Sequence, residues 1–191
     1  MTPVTVRPRS AADLGPCAEL VRAVHNADGY PRNLPEDLMA FIASRGGLAA
    51  WVAERGGIIV GHVALHSRSS EQVMQAAGAA LGEPAARMGV VARLLVSPRV
   101  RRAGVGRLLM QTASDEAAAR GLRPVLEVAT DLTAAIGLYE SCGWTRAAAV
   151  TVQFGDGTVL DEYVYVGPAP ASGQPTVDRR SPGSVGQDEL A

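Results

Sequence analysis

The spacing of apolar positions changes several times along the chain, and each change predicts an element. Val4 and Val6 alternate with polar neighbours as far as Arg7, the period of a short strand. Leu14, Cys17, Leu20, Val21 and Val24 then recur every three or four residues, one face of a helix. Asp13 is placed to cap it, and Pro16 is tolerable only in its first turn. "HNADGYP", residues 25–31, reads as a loop, and Pro35 opens a second short helix with Leu38, Phe41 and Ile42 facing inward. "LAAWVAERGGIIVGHVAL" has the pattern of two strands folded back at Gly56-Gly57. Residues 67–90 are ambiguous, with "SEQVMQAAGAAL" suited to a helix ahead of the next strand.

The second half is more regular. A strand over Val90–Val96 precedes a helix from Gly104 to Arg120. That helix sets Val105, Leu108, Leu109, Thr112, Ala113 and Glu116 near one face and has Gly121 to end it. Pro124–Ala129 is the next strand, and Leu132–Cys142 a helix closed by Gly143. "WTRAAAVTVQF" and "TVLDEYVYV" flank Gly155-Asp156-Gly157, a hairpin signal. Strands first, then strand–helix–strand–helix, then a hairpin: the order predicts an α/β (α+β mixed) fold, a mixed sheet with helices on its faces.

Composition narrows the function classes. With 47% hydrophobic and 19% charged residues, the 191-residue chain suits one globular domain, placed at 1–166. Residues 167–191 are rich in Gly, Pro and Ser without an aromatic residue, too little apolar surface to offset ordering, and are expected to form a disordered tail. A formal net charge of −1 provides no field for nucleic acid or an anionic membrane. No long apolar span or basic-then-apolar leader is visible, so a cytoplasmic protein without a membrane partner is expected. Cys17 and Cys142 lack a C-x-x-C arrangement and read as small buried hydrophobes. His25, His62 and His66 lack zinc-site spacing, so no metal is expected.

Candidate chemistry concentrates in "RLLVSPRVRRAGVGRLLM", residues 93–110. A strand feeding a glycine-rich turn and a helix N-terminus makes an anion site, because unpaired amides converge there and the helix dipole adds positive potential. Arg101, Arg102 and Arg107 can screen a diphosphate. A bare G-x-G is common, and a tight turn with solvated arginines is the plainer account. The stretch has no third glycine for a dinucleotide fingerprint and no G-x-x-x-x-G-K-[ST] loop for a nucleoside triphosphate.

Two segments carry a more specific resemblance. Arg101-Arg102-Ala103-Gly104-Val105-Gly106 matches the R/Q-x-x-G-x-G/A signature of the GNAT superfamily of acetyl-CoA-dependent N-acetyltransferases. "AAIGLYESCGW", residues 134–144, is similar to that family's A-x-x-LYE-x-x-G[FW] segment, in the right order and at the right distance. The resemblance implies a splayed mixed sheet ending in a hairpin, with acetyl-CoA between the two central parallel strands. It implies that the backbone of Leu94, Leu95 and Val96 pairs with the pantetheine arm. It places the pyrophosphate on Arg101, Arg102, Ala103, Gly104, Val105, Gly106 and Arg107, and further cofactor contacts on Thr133, Ala135 and Tyr139. Leu132 departs from the pattern, since many relatives carry asparagine there; Asp131 or Thr133 would have to replace part of that contact.

The resemblance also assigns roles. Tyr139 resembles the family's general acid: a phenol of pKa about 10 stays protonated at neutral pH and can donate to a thiolate whose conjugate acid lies near 8.5. A packed core tyrosine is the alternative. The base is open among Glu127, His62, His66 and water, with the two histidines on one strand face and Val63 and Leu65 on the other. Cys142 invites a covalent route, but a packed residue at a helix end is simpler, so direct attack in a ternary complex is expected. The acceptor is an amine on a small molecule, peptide or protein. Asp28, Tyr30, Glu36 and Asp37, with Asp156, Asp161 and Glu162, would suit a cationic one. A homodimer stays open. The rival from another class is a non-catalytic acetyl-CoA-binding or interaction module.

Overall fold

Every predicted strand and helix forms, and long-range pairing gathers the strands into one seven-stranded sheet in the order β1-β2-β3-β4-β5-β7-β6. The computed structural model describes residues 2–43, 46–153 and 157–169. Along the chain run β1 (Val4–Pro8), α1 (Leu14–Asp28), α2 (Leu38–Ala43), β2 (Gly47–Arg55), β3 (Ile58–His66) and α3 (Glu71–Leu81). There follow β4 (Met88–Val96), α4 (Val105–Ala119), β5 (Arg123–Ala129), α5 (Thr133–Ser141), β6 (Thr145–Gln153) and β7 (Val159–Val166). All neighbouring strands are antiparallel except β4 and β5. The ambiguous stretch before β4 is the helix α3, N-capped by the Ser70 hydroxyl and closed by Gly82 at φ 66°.

Side-chain alternation divides the core between two faces. Val63, Leu65, Val91, Leu126 and Val128 turn toward α4 and α5, where Leu109, Met110 and Tyr139 meet them. Val52 and Leu95 face α1 and α2, and Val90, Val125 and Val164 face α3. No helix among the described residues is long and apolar enough to cross a membrane.

Four expectations need correction. The buried face of α4 is Val105, Gly106, Leu109, Met110, Ala113 and Ala117; Leu108 is 43% exposed, because the sheet meets the helix about one position away from the predicted stripe. Asp13 does not cap α1 with its side chain. A single 3-10 turn at Ala11–Asp13 precedes the helix, and the Asp13 carboxylate accepts from Ser10 N–H (2.7 Å) and pairs with Arg7 (2.8 Å). The loop expected from His25 starts later, since α1 runs to Asp28 and ends on Gly29 at φ 69°. Gly167 belongs to the folded body: it is buried, its N–H donates to the Pro124 carbonyl at 2.8 Å, and a Cβ there would lie 2.7 Å from the Pro124 ring. The expected tail beyond residue 169 and the hairpin tip with Gly155 and Asp156 lie outside the described residues.

Candidate active site

The site begins as a gap in the sheet. β4 and β5 pair only through Met88–Arg123, Gly89–Pro124 and Val90–Val125, and then separate. From Val91 onward β4 stays attached to β3, while β5 stays attached to β7 as far as Ala129. A bulge in β4 accompanies the parting. His62 and Ala64, two positions apart on β3, pair with Leu95 and Ala92, three apart on β4. Arg93 absorbs the extra residue at φ 52°, a conformation costing roughly 1–2 kcal/mol for a side chain with a Cβ. His62 holds it there: fully buried, it donates from Nδ1 to the Arg93 carbonyl at 3.0 Å. Burial pushes the His62 pKa down to about 4, so the ring stays neutral.

The β4 lip continues into the glycine–arginine turn. Gly104, at φ 78°, caps α4 without any side chain, and the first bond within the helix runs from Leu108 N–H to the Gly104 carbonyl. The N–H groups of Val105, Gly106 and Arg107 therefore point out of an uncapped helix end. A Cβ at Gly104 would meet nothing within 4 Å, so the positive φ, and not packing, is what calls for glycine there. Gly106 answers a different need, because a Cβ there would lie 2.8 Å from Leu138 Cδ2, where α5 packs on α4. The three arginines are also unequal. Arg101 is ion-paired with Asp28, and Arg107 donates to the Ser141 carbonyl (2.8 Å) and hydroxyl (3.0 Å). Arg102 is exposed, at φ 62°, and makes no ion pair among the described residues.

On the β5 side, Tyr139 rises from α5 into the core and leans on Trp144 and Tyr165, with ring centroids 6.4 and 6.1 Å away. Burial, with Glu127 nearby, holds its phenol well above its usual pKa, so it stays protonated. Glu127 lies on the opposite face of β5. Its Oε1 accepts from Ser69 Oγ at 2.7 Å, and its Oε2 is buried without a hydrogen-bond partner. Burial raises the Glu127 pKa, while the Ser69 hydrogen bond and the Arg93 charge pull it down. His66 shares the face of His62, as expected, but its Nε2 accepts from Arg93 at 2.6 Å, and burial lowers its pKa to about 4. His62 Nε2 is buried without a hydrogen-bond partner, whereas the Nε2 lone pair of His66 is taken by Arg93. Cys142 is half-buried in a recess with Arg107, Met110 and Trp144, on the α4–α5 side.

Other named residues are dispersed. Leu132 packs against the core, Asp131 is ion-paired with Arg32, Thr133 is exposed at the start of α5, and Ala135 is half-buried. Asp37 Oδ1 accepts from Ala40 N–H in α2, Glu36 is exposed, and Asp161 accepts from Thr151. Tyr30 and Glu162 lie near Glu127, close enough for each to feel its charge. Periodicity misplaces Arg93, which the bulge turns to the Ala92 face, where its guanidinium lies 4.7 Å above the Phe41 ring. A positive φ at a non-glycine residue leaves no mark in the sequence.

Residues 18–144 match the acetyltransferase (GNAT) family, more than half of the chain, and the protein belongs to that family of acyltransferases. No curated protein matches it by sequence. Solved structures share the fold. The ribosomal-protein-S18-alanine N-acetyltransferase from Escherichia coli superposes with a TM-score of 0.61 at 19% identity, over 90% of this chain and 99% of that one. The ribosomal-protein-alanine N-acetyltransferase from Brucella melitensis gives 0.63 at 23%, over 85% and 98%. Arabidopsis thaliana NAA60, solved in complex with acetyl-CoA, gives 0.64 at 17%, over 86% and 97%.

Proposed function

We propose that the protein moves the acetyl group of acetyl-CoA to an amine by direct attack in a ternary complex, with Glu127 as base and Tyr139 as acid. The observation that carries this reading is the parting of β4 and β5 after Val90–Val125, with Glu127 and Tyr139 on the two faces of β5 beside the gap. The unpaired edge of β4 fits an extended pantetheine arm, as an added strand would. The uncapped amides of α4 and the exposed Arg102 fit the diphosphate.

The chemistry follows from the two environments. An amine arrives as ammonium and must lose a proton before it attacks. Glu127 has a free, buried Oε2 to receive that proton directly or through water. Attack forms the N–C bond and puts negative charge on the thioester oxygen; as the C–S bond breaks, the Tyr139 phenol gives its proton to the sulfur, and the surplus proton on the acylated nitrogen returns through water to the phenolate. Cys142 lies in the recess with Arg107, Met110 and Trp144 and has no role in this scheme.

An amine panel read by free thiol release from acetyl-CoA tests the proposal. Release should depend on the amine and exceed background hydrolysis by at least about 10²-fold for a good acceptor, the lower end of general acid–base contributions. Slow hydrolysis unaffected by any amine would instead identify a non-catalytic acetyl-CoA-binding module.

A further inference from the structure

Resting on the acetyltransferase reading, the acceptor side of the gap has a roof and an unspent charge. The loop between α1 and α2 crosses the cleft and is tied on every side. At its start Asp28 ion-pairs with Arg101 of the β4–α4 turn, and Arg32 ion-pairs with Asp131 of the β5–α5 turn. Asn33 Nδ2 donates to Thr158 Oγ1 at 2.8 Å, just ahead of β7. Tyr30 hangs from this strap with its hydroxyl at the Arg93 backbone, and burial pushes its pKa up to about 12. A cleft strapped in this way admits a small molecule more readily than a continuing polypeptide.

Beneath the strap lie two carboxylates. Ala129 pairs directly with Glu162, so Glu127, two residues earlier on β5, is a diagonal neighbour of Glu162 on the same sheet face. Such positions are about 7–8 Å apart, within reach of long side chains. Their situations differ. Glu127 has the Ser69 hydroxyl and the Arg93 charge as compensation. Glu162 is only 8% exposed, and its carboxylate makes no hydrogen bond or ion pair among the described residues. Burial and the Glu127 charge push its pKa up to about 7, the mark of a carboxylate short of a cation.

The reaction does not supply that cation. The attacking nitrogen is neutral when it reacts, and its proton goes to Glu127, so the nucleophile leaves Glu162 uncompensated. A second ammonium on the same molecule would pair with it. We propose that Glu162 is a specificity-determining residue that selects a small diamine, holding the distal ammonium while the other nitrogen is acetylated beside Glu127.

The test compares a four-carbon diamine, the four-carbon monoamine and an alanine-led peptide as acceptors for wild type, Glu162→Gln and Glu162→Asp. Calorimetric binding of the diamine to each protein in the presence of CoA is measured alongside. Wild type should favour the diamine over the monoamine by about 10- to 100-fold in kcat/KM, the worth of a hydrogen-bonded charge pair. The change should fall mainly on KM. Glu162→Gln should bring the ratio within about threefold of unity and weaken diamine binding, and Glu162→Asp should retain part of both. A wild-type ratio near one, a ratio unchanged in Glu162→Gln, or a peptide that outperforms the diamine would overturn the proposal. If no amine is acetylated, the acetyltransferase reading fails, and Glu162-dependent diamine binding still decides the pocket.

Discussion

The two lips of the cleft are built by different means. The β4 lip is one continuous run, from the Arg93 bulge through the Gly104 turn into α4, and it presents mainly backbone: a free strand edge and three uncapped amides. The β5 lip presents side chains, and they arrive from separate segments: Glu127 from β5, Tyr139 from α5, Glu162 from β7, and Tyr30 from the strap. Binding a constant cosubstrate needs only backbone and a local motif. Acting on a particular acceptor needs side chains placed by tertiary pairing.

The hardest test of this division is Tyr139→Phe, which keeps the ring packing on Trp144 and Tyr165. Turnover should fall about 10²- to 10⁴-fold, a barrier rise of roughly 3–5 kcal/mol, while acetyl-CoA affinity changes little. Turnover within threefold of wild type on a folded variant would move the acid elsewhere.

The two glycines of the β4 lip should separate next. Gly104→Val strains a left-handed position and adds a branched side chain at the head of α4, so acetyl-CoA affinity should drop by at least about tenfold, or 1.4 kcal/mol. Gly106→Ala drives a methyl against Leu138 and should cost about 1–3 kcal/mol of stability, read as a lower Tm, with the smaller loss of affinity. If the two variants behave alike in both measurements, the glycines do not have distinct jobs.

Glu162→Gln probes the other lip through pH. The folded pKa of Glu162 is raised from 4.5 to about 7, so the native state holds a proton that the unfolded chain releases between those values. The resulting penalty is absent at low pH, grows as pH rises, and levels off above about 7. The variant should therefore be more stable than wild type at pH 8, by on the order of 1–3 kcal/mol, and should lose that advantage at pH 5. An equal effect at both pH values would show that Glu162 does not titrate in the fold.

The smallest effect concerns the tie between the strap and the β4 lip. Asp28→Asn frees Arg101 from an exposed ion pair worth about 0.2–1 kcal/mol, so acetyl-CoA should bind up to about fivefold tighter. Weaker binding would mean that Asp28 positions Arg101 for the diphosphate rather than competing for it.

The contrast between the lips also explains what could be read from the chain. The Arg101–Gly106 motif, the strand before it and the Tyr139 helix are local patterns, and each appeared where periodicity put it. Even there, the reason for Gly106 lay in Leu138, a residue 32 positions away in the chain and visible only once α5 had packed. Glu127 and Glu162 were both visible as carboxylates, but their diagonal relation depends on β7 inserting beside β5, ahead of β6. Asp28, Glu36, Asp37 and Asp161 had the same composition signal as Glu162 and turned out to be paired, capping or exposed. Burial separates one carboxylate from the rest, and burial is a tertiary fact. Arg93 was hidden for a sharper reason: simple alternation along β4 would set it on the Val91 face, and the bulge reverses that.

The three-pair junction between β4 and β5 has a consequence for amide exchange. With so short a parallel seam, the sheet behaves as two antiparallel blocks joined at one end, β1 to β4 and β5 to β7. Amides of β4 beyond Val91 that face the slot should exchange with solvent quickly in the free protein, despite lying in the middle of the sheet. An extended ligand in the slot would protect them by bonding to that edge, so that a small molecule serves the fold as a missing strand.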